Sequence, residues 1–284
     1  MIDKTESEIM SYQNLMVHMR CGHSSEAVLQ VAKKISNYSP AAILGVMAEQ
    51  QTQMIYGRGY ATLDFFDREQ AHLREIIAVE EITFNTAFKD NLKPIKWRSV
   101  VSMEPASDFI VSHARSVDLI ITGIASSDFY EGPNTANAGA IVMQAGRPVL
   151  AVPLNNNEFN LDHILVGWKD TREARRAIVD ALPLLKMAKQ VTILEIAERD
   201  DEAIAVERLN EIIAWLGSHY VKAKPMVSIA IDADAIQFIN ITSQLKPNVV
   251  VIGAYGHSRF REWVLGGVTN ELLQSAQFNL LLSH

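Results

Sequence analysis

One order of elements runs through this chain twice. The segment DLIITG at 118–123 returns as NVVVIG at 248–253, 130 residues later. Each is a short apolar run closed by glycine, as in a strand buried on both faces. Ahead of each copy, short apolar runs alternate with stretches of helical period. Such alternation forces a parallel sheet with helices on both faces, and right-handed crossovers restrict it to a doubly wound α/β fold.

The first round places strands at 14–19, 41–48, 95–101, 118–123 and 147–152. Ser24 and Ser25 offer caps for a helix whose Ala27, Val28, Val31, Ala32 and Ile35 form one stripe. A polar insertion covers 50–62, one long helix 64–89, and a shorter one 105–115. The polar run LNNNEFN at 154–160, after Pro153, is the expected linker. The second round then gives strands at 163–168, 191–197, 226–231, 249–253 and 278–283. Its helices are a Thr171-capped one, then 202–216, 234–245 and 268–276. The division is therefore 1–153 and 161–284, and 284 residues suit two domains of this size.

Ligands of such sheets sit beyond the C-terminal strand ends, where strand order reverses. In the second round the strand at 249–253 runs into Gly253 and Gly256, a polar loop, and Gly266-Gly267 before the last helix. Strand, glycine loop and helix put free N–H groups of Gly256, Gly266, Gly267 and Val268 where an anion can be held. His257 and Arg259 of the loop can steer or clamp phosphate oxygens. The first copy lacks this spacing: Ser126 stands where the second glycine would be.

Gly253-x2-Gly256-x9-Gly266 resembles the signature of the nucleotide-binding branch of the universal stress proteins. The resemblance spans nearly the whole chain as a tandem pair of such domains. It implies strand order 3-2-1-4-5 in each half, as in the related adenine-nucleotide α-hydrolase-like folds. It also implies a pocket for ATP or another adenine nucleotide, with or without magnesium, in the C-terminal half. Ile196 and Ile252 match apolar positions lining the adenine pocket of the family. Gly167, Trp168 and Lys169 end the strand after which the family carries an Asp. Lys169 there can meet a phosphate or stand in solvent, and Trp168 can stack on a base or pack in the core. Gly267 replaces the family's Ser or Thr. Single-domain relatives dimerise, so the two halves are expected to pair through 147–152 and 278–283, with a further homodimer conceivable.

The function expected is thus a nucleotide-binding stress sensor or regulator. A non-binding dimerisation scaffold and a weak ATP-hydrolysing enzyme are the alternatives. No G-x-S-x-G, H-E-x-x-H or P-loop motif occurs, and no carboxylate pair stands beside the glycine loop, so binding without catalysis is expected. A net charge of −7 argues against nucleic acid or an anionic membrane as partner. One cysteine, Cys21, leaves no internal disulfide, and no apolar run approaches the ~20 residues of a membrane span; a cytoplasmic protein is expected. Cys21, His23 and His18 alone are too few for a metal site.

Overall fold

The computed structural model describes residues 11–51, 63–124, 136–155, 159–254, 267–275 and 277–284. In the first half β1 (Asn14–His18), β2 (Ala42–Gln50), β3 (Ile95–Ser102), β4 (Leu119–Ile124) and β5 (Val149–Pro153) are interleaved with α1 (Glu26–Tyr38), α2 (Leu63–Ala87), α3 (Ala106–His113) and α4 (Ala138–Ala145). In the second, β6 (His163–Trp168), β7 (Gln190–Ala197), β8 (Ala223–Ile229), β9 (Val249–Gly253) and β10 (Asn279–Ser283) alternate with α5 (Arg172–Met187), α6 (Glu202–Ser218), α7 (Asp234–Leu245) and α8 (Gly267–Ser275).

All ten strands form one sheet in the order β3-β2-β1-β4-β5-β10-β9-β6-β7-β8. Read from each outer edge inward, both halves have the order 3-2-1-4-5 that the resemblance implied. Within a half every pairing is parallel. The halves meet through the antiparallel pair β5–β10, with Leu281 opposite Leu150, Leu280 opposite Ala151 and Leu282 opposite Val149. These are the two edges the sequence had marked for pairing. The register is self-consistent: Leu150 and Leu281 hold the same place in their halves, so a local two-fold passes between them.

The two faces of the sheet carry separate cores. One gathers residues of α1, α5 and α6 with Leu15, Val17, Ile164, Val166, Trp168 and Ile193. The other gathers residues of α3, α4, α7 and α8 with Met16, Ile120, Leu165, Leu194, Val250 and Ile252. Alternate residues of each strand go to opposite faces, which is why these strands read as unbroken apolar runs. Further contacts cross the seam: Tyr12 Oη donates to the carbonyl of Asp180 at 2.6 Å, and Arg176 Nη2 to that of Gly146 at 3.0 Å.

Two local expectations need correction. Ser25 precedes α1 but does not cap it; its hydroxyl donates instead to Glu80 Oε2 at 3.0 Å, across to α2. β8 begins at Ala223, three residues before the expected start, and passes through Pro225. It is an outer strand, where a missing N–H need not break a ladder. Within the expected polar linker, Phe159 is buried and its carbonyl accepts from Lys34 Nζ at 2.5 Å. Of the 50–62 insertion, Gln50 ends β2 and 52–62 lie outside the described residues.

Candidate functional site

Strand order reverses between β6 and β9 in the second half, so their C-terminal ends flank the crevice where a ligand of this fold would sit. Both strands bring glycine to that end, and each glycine is required by a close approach. A Cβ on Gly253 would lie 2.6 Å from the backbone N of Ala174 and from the carbonyl carbon of Glu173. The first turn of α5 therefore rests on the end of β9. Thr171 fixes that turn by accepting from the N–H of Ala174 at 3.3 Å, the cap read from the sequence.

A Cβ on Gly167 would meet the ring of Phe238 at 2.7 Å and Ile252 Cγ2 at 2.9 Å. Phe238, from α7, lies on the floor of the crevice, and the sequence reading had not singled it out. Ile252 is buried and Ile196 half-buried in the same apolar cluster. Trp168 points the other way, into the core beneath α5, and is 9% exposed. The fold thus brings Ile196, Ile252 and Gly167 together and sends Trp168 to the opposite face.

Lys169 stands exposed just beyond β6, its Nζ 3.2 Å from Asp234 Oδ2 at the start of α7. Asp170 beside it pairs with Arg175 Nη2 at 2.5 Å. Lys169 is therefore held over the crevice by a carboxylate, an exposed pair of small energetic weight that a ligand can reorganise. α8 opens at Gly267, with Val268 next. Gly256, His257, Arg259 and Gly266 lie outside the described residues.

The first half shows how the same crevice is closed. Register places His18 where the second half has Gly167, and Thr122 where it has Ile252. His18 Nδ1 and Thr122 Oγ1 are 2.8 Å apart, both side chains buried. Burial, aided by the charge of Arg20, lowers the pKa of His18 to about 3, so the ring is neutral. Across from it Ile110 of α3 is buried in that core, whereas α7 presents Phe238. A large ring on the strand with a smaller helix residue has become glycine with a large ring on the helix.

The helix that follows β4 is also closed. Asn137 caps α4, its side-chain oxygen accepting from Ala140 N at 2.9 Å. α8 has no equivalent, because the preceding residue is Gly266 and the first is Gly267. Asn before an apolar run is a cap signal that sequence alone offers. Among the described residues no group of three metal-ligating side chains occurs, and no helix is long and apolar enough to cross a membrane.

A tandem pair of doubly wound lobes joined edge to edge, with Gly167 and Gly253 at the crevice strand ends of the second and the buried His18–Thr122 pair in the first, defines the class. No family model and no curated protein matches the chain. Solved structures do. A universal stress protein from Archaeoglobus fulgidus is similar over 95% of this chain and 97% of its own, at 11% identity and a TM-score of 0.71. A putative universal stress protein from Pseudomonas aeruginosa matches over 97% and 94%, at 12% identity and 0.65. A protein of unknown function from the latter organism matches over 97% and 93%, at 12% and 0.64. The chain has the tandem universal stress protein fold, as its glycine spacing led one to expect.

Proposed function

We propose that the chain is a universal stress protein that binds an adenine nucleotide in the crevice of its C-terminal half and acts as a sensor or regulator. The observation that carries this is the contrast between two equivalent helix starts. The side chain of Asn137 accepts from the N–H of Ala140 in the first turn of α4, whereas the sequence puts Gly266 before α8 and Gly267 at its start, neither with a capping side chain. A helix start with no capping side chain of its own leaves N–H groups which, with the helix dipole, suit phosphate oxygens. Ile196 and Ile252 offer an apolar wall, and Lys169 is a cation near the opening.

The role is binding without turnover, with ATP, ADP or AMP as ligand, in the cytoplasm. The lobes are bounded at 153 and 161, they pair as an intrachain pseudo-dimer, and the chain self-associates as a homodimer. Binding to the native state stabilises it by RT ln(1 + [L]/Kd), about 2.7 kcal/mol at a hundredfold excess over Kd.

Titration calorimetry and thermal unfolding with ATP, ADP and AMP test this on the intact chain. A saturable heat and a rise in Tm are expected, both lost in Gly266→Val. No response at millimolar nucleotide would leave the scaffold role; steady phosphate release abolished by the same substitution would make the protein an enzyme.

A further inference from the structure

On the face opposite the crevice, the ends of β6 and β7 carry a polar cluster inside the core. Trp168 and Glu195 are register partners, so their side chains leave the sheet on the same side, towards α5 and α6. They are 9% and 5% exposed. Arg208 of α6 reaches in and donates through Nη2 to Glu195 Oε1. Three atoms of these side chains are buried without a hydrogen-bond partner: Trp168 Nε1, Arg208 Nε and Glu195 Oε2. Two are N–H donors and one is a carboxylate acceptor.

The fold does not demand polar groups there. The same positions in the first half, one step past the last paired residues of β1 and β2, are Met19 and Met47, both buried. An apolar pair fills the space, and a well-packed apolar substitute commonly matches or exceeds the stability of a buried ion pair. Stability alone therefore does not account for Trp168, Glu195 and Arg208. Native structures leave few buried polar atoms unpaired, and three in one cluster call for an occupant. It must accept from two donors, donate to one acceptor, and be small, because Trp168 and Glu195 are nearly closed from solvent.

We propose that Trp168, Glu195 and Arg208 enclose a site for a single hydroxyl group, which accepts from Trp168 Nε1 and Arg208 Nε and donates to Glu195 Oε2. The chemistry is that of an internal water, which typically makes about three such bonds, or of one hydroxyl of a small molecule entering past the strand ends. The site does not depend on nucleotide binding.

A crystal structure of the full chain tests it. Oxygen density is expected within about 3.2 Å of Trp168 Nε1 and Glu195 Oε2. An isolated peak with a bare-chain mass in native mass spectrometry identifies water, and connected density with added mass identifies a small molecule. A direct bond from Trp168 or Arg208 Nε to Glu195 Oε2, with no density between, overturns the proposal. In solution, the indole N–H signal of Trp168, assigned by its loss in Trp168→Phe, should show exchange or a cross-peak with the bound hydroxyl. That cross-peak should vanish in Glu195→Met/Arg208→Met; its absence in the native chain, or its survival in the variant, also overturns the proposal.

Discussion

His18 and Thr122, 104 residues apart in sequence, meet at 2.8 Å between the ring Nδ1 and the hydroxyl at the ends of β1 and β4. The pair holds the register positions of Gly167 and Ile252 in the other lobe, where the Phe238 ring fills the space beside the glycine. Its neutral histidine gives the first prediction. The folded pKa of about 3 lies below the ordinary 6.5, so the unfolded chain binds the proton more readily. The associated stability is present in full above pH ~6.5 and falls as pH drops towards ~3. Acid unfolding followed by circular dichroism should show this loss, on the order of a few kcal/mol. His18→Gln should flatten the slope across that window; an unchanged slope would show that His18 is not the group responsible.

Gly167 is predicted to tolerate no side chain while Phe238 is present. Gly167→Ala drives a methyl into the Phe238 ring and Ile252. The expected cost is about 1–3 kcal/mol in chemical denaturation. Gly167→Ala with Phe238→Leu should cost less than the sum of the separate changes, because the two residues share one space. Strict additivity would mean that the ring does not rest on the glycine.

Gly253→Ala should be the more damaging glycine substitution. Here the obstacle is the backbone of Glu173 and Ala174, which has no rotamer to change. Relief requires α5 to lift from β9. A Tm depression larger than that of Gly167→Ala is expected in parallel melts, and the reverse order would contradict the packing described.

Two substitutions probe single hydrogen bonds. Thr171→Ala removes the cap of α5 and should cost about 1 kcal/mol, with Thr171→Ser restoring most of it. Tyr12→Phe removes the bond to the Asp180 carbonyl across the seam and should cost about 0.5–1.5 kcal/mol. Either change leaving the denaturation midpoint untouched would remove that bond from the account.

Much of the frame was legible because it rests on short-range signals. Unbroken apolar runs named the central strands, Thr171 named its helix start, and the repeat fixed two lobes of one topology. The seam followed from the resemblance, because single-domain relatives dimerise, commonly through the final strand. What escaped reading was set by partners distant in sequence. Phe238 looks like any member of the α7 stripe until the backbone shows that it rests on Gly167. Trp168 beside Lys169 invited a stacking role, but strand alternation turns it to the far face. The expected strand began only at 226, and the position of β8 at the sheet edge explains why it runs through Pro225. Of the candidate site, the strand ends Gly167 and Gly253 and the helix start Gly267 could be placed in the fold.

The antiparallel seam between β5 and β10 also governs stoichiometry. Were the two lobes separate chains, each with a leucine at the local two-fold, they could associate with themselves as readily as with each other. Three assemblies would then coexist. A covalent tether raises the local concentration of the unlike partner to roughly millimolar, so the mixed pair prevails at any expression level. The sequences of the two lobes can thereby diverge, since each always finds its counterpart in a ratio of one to one.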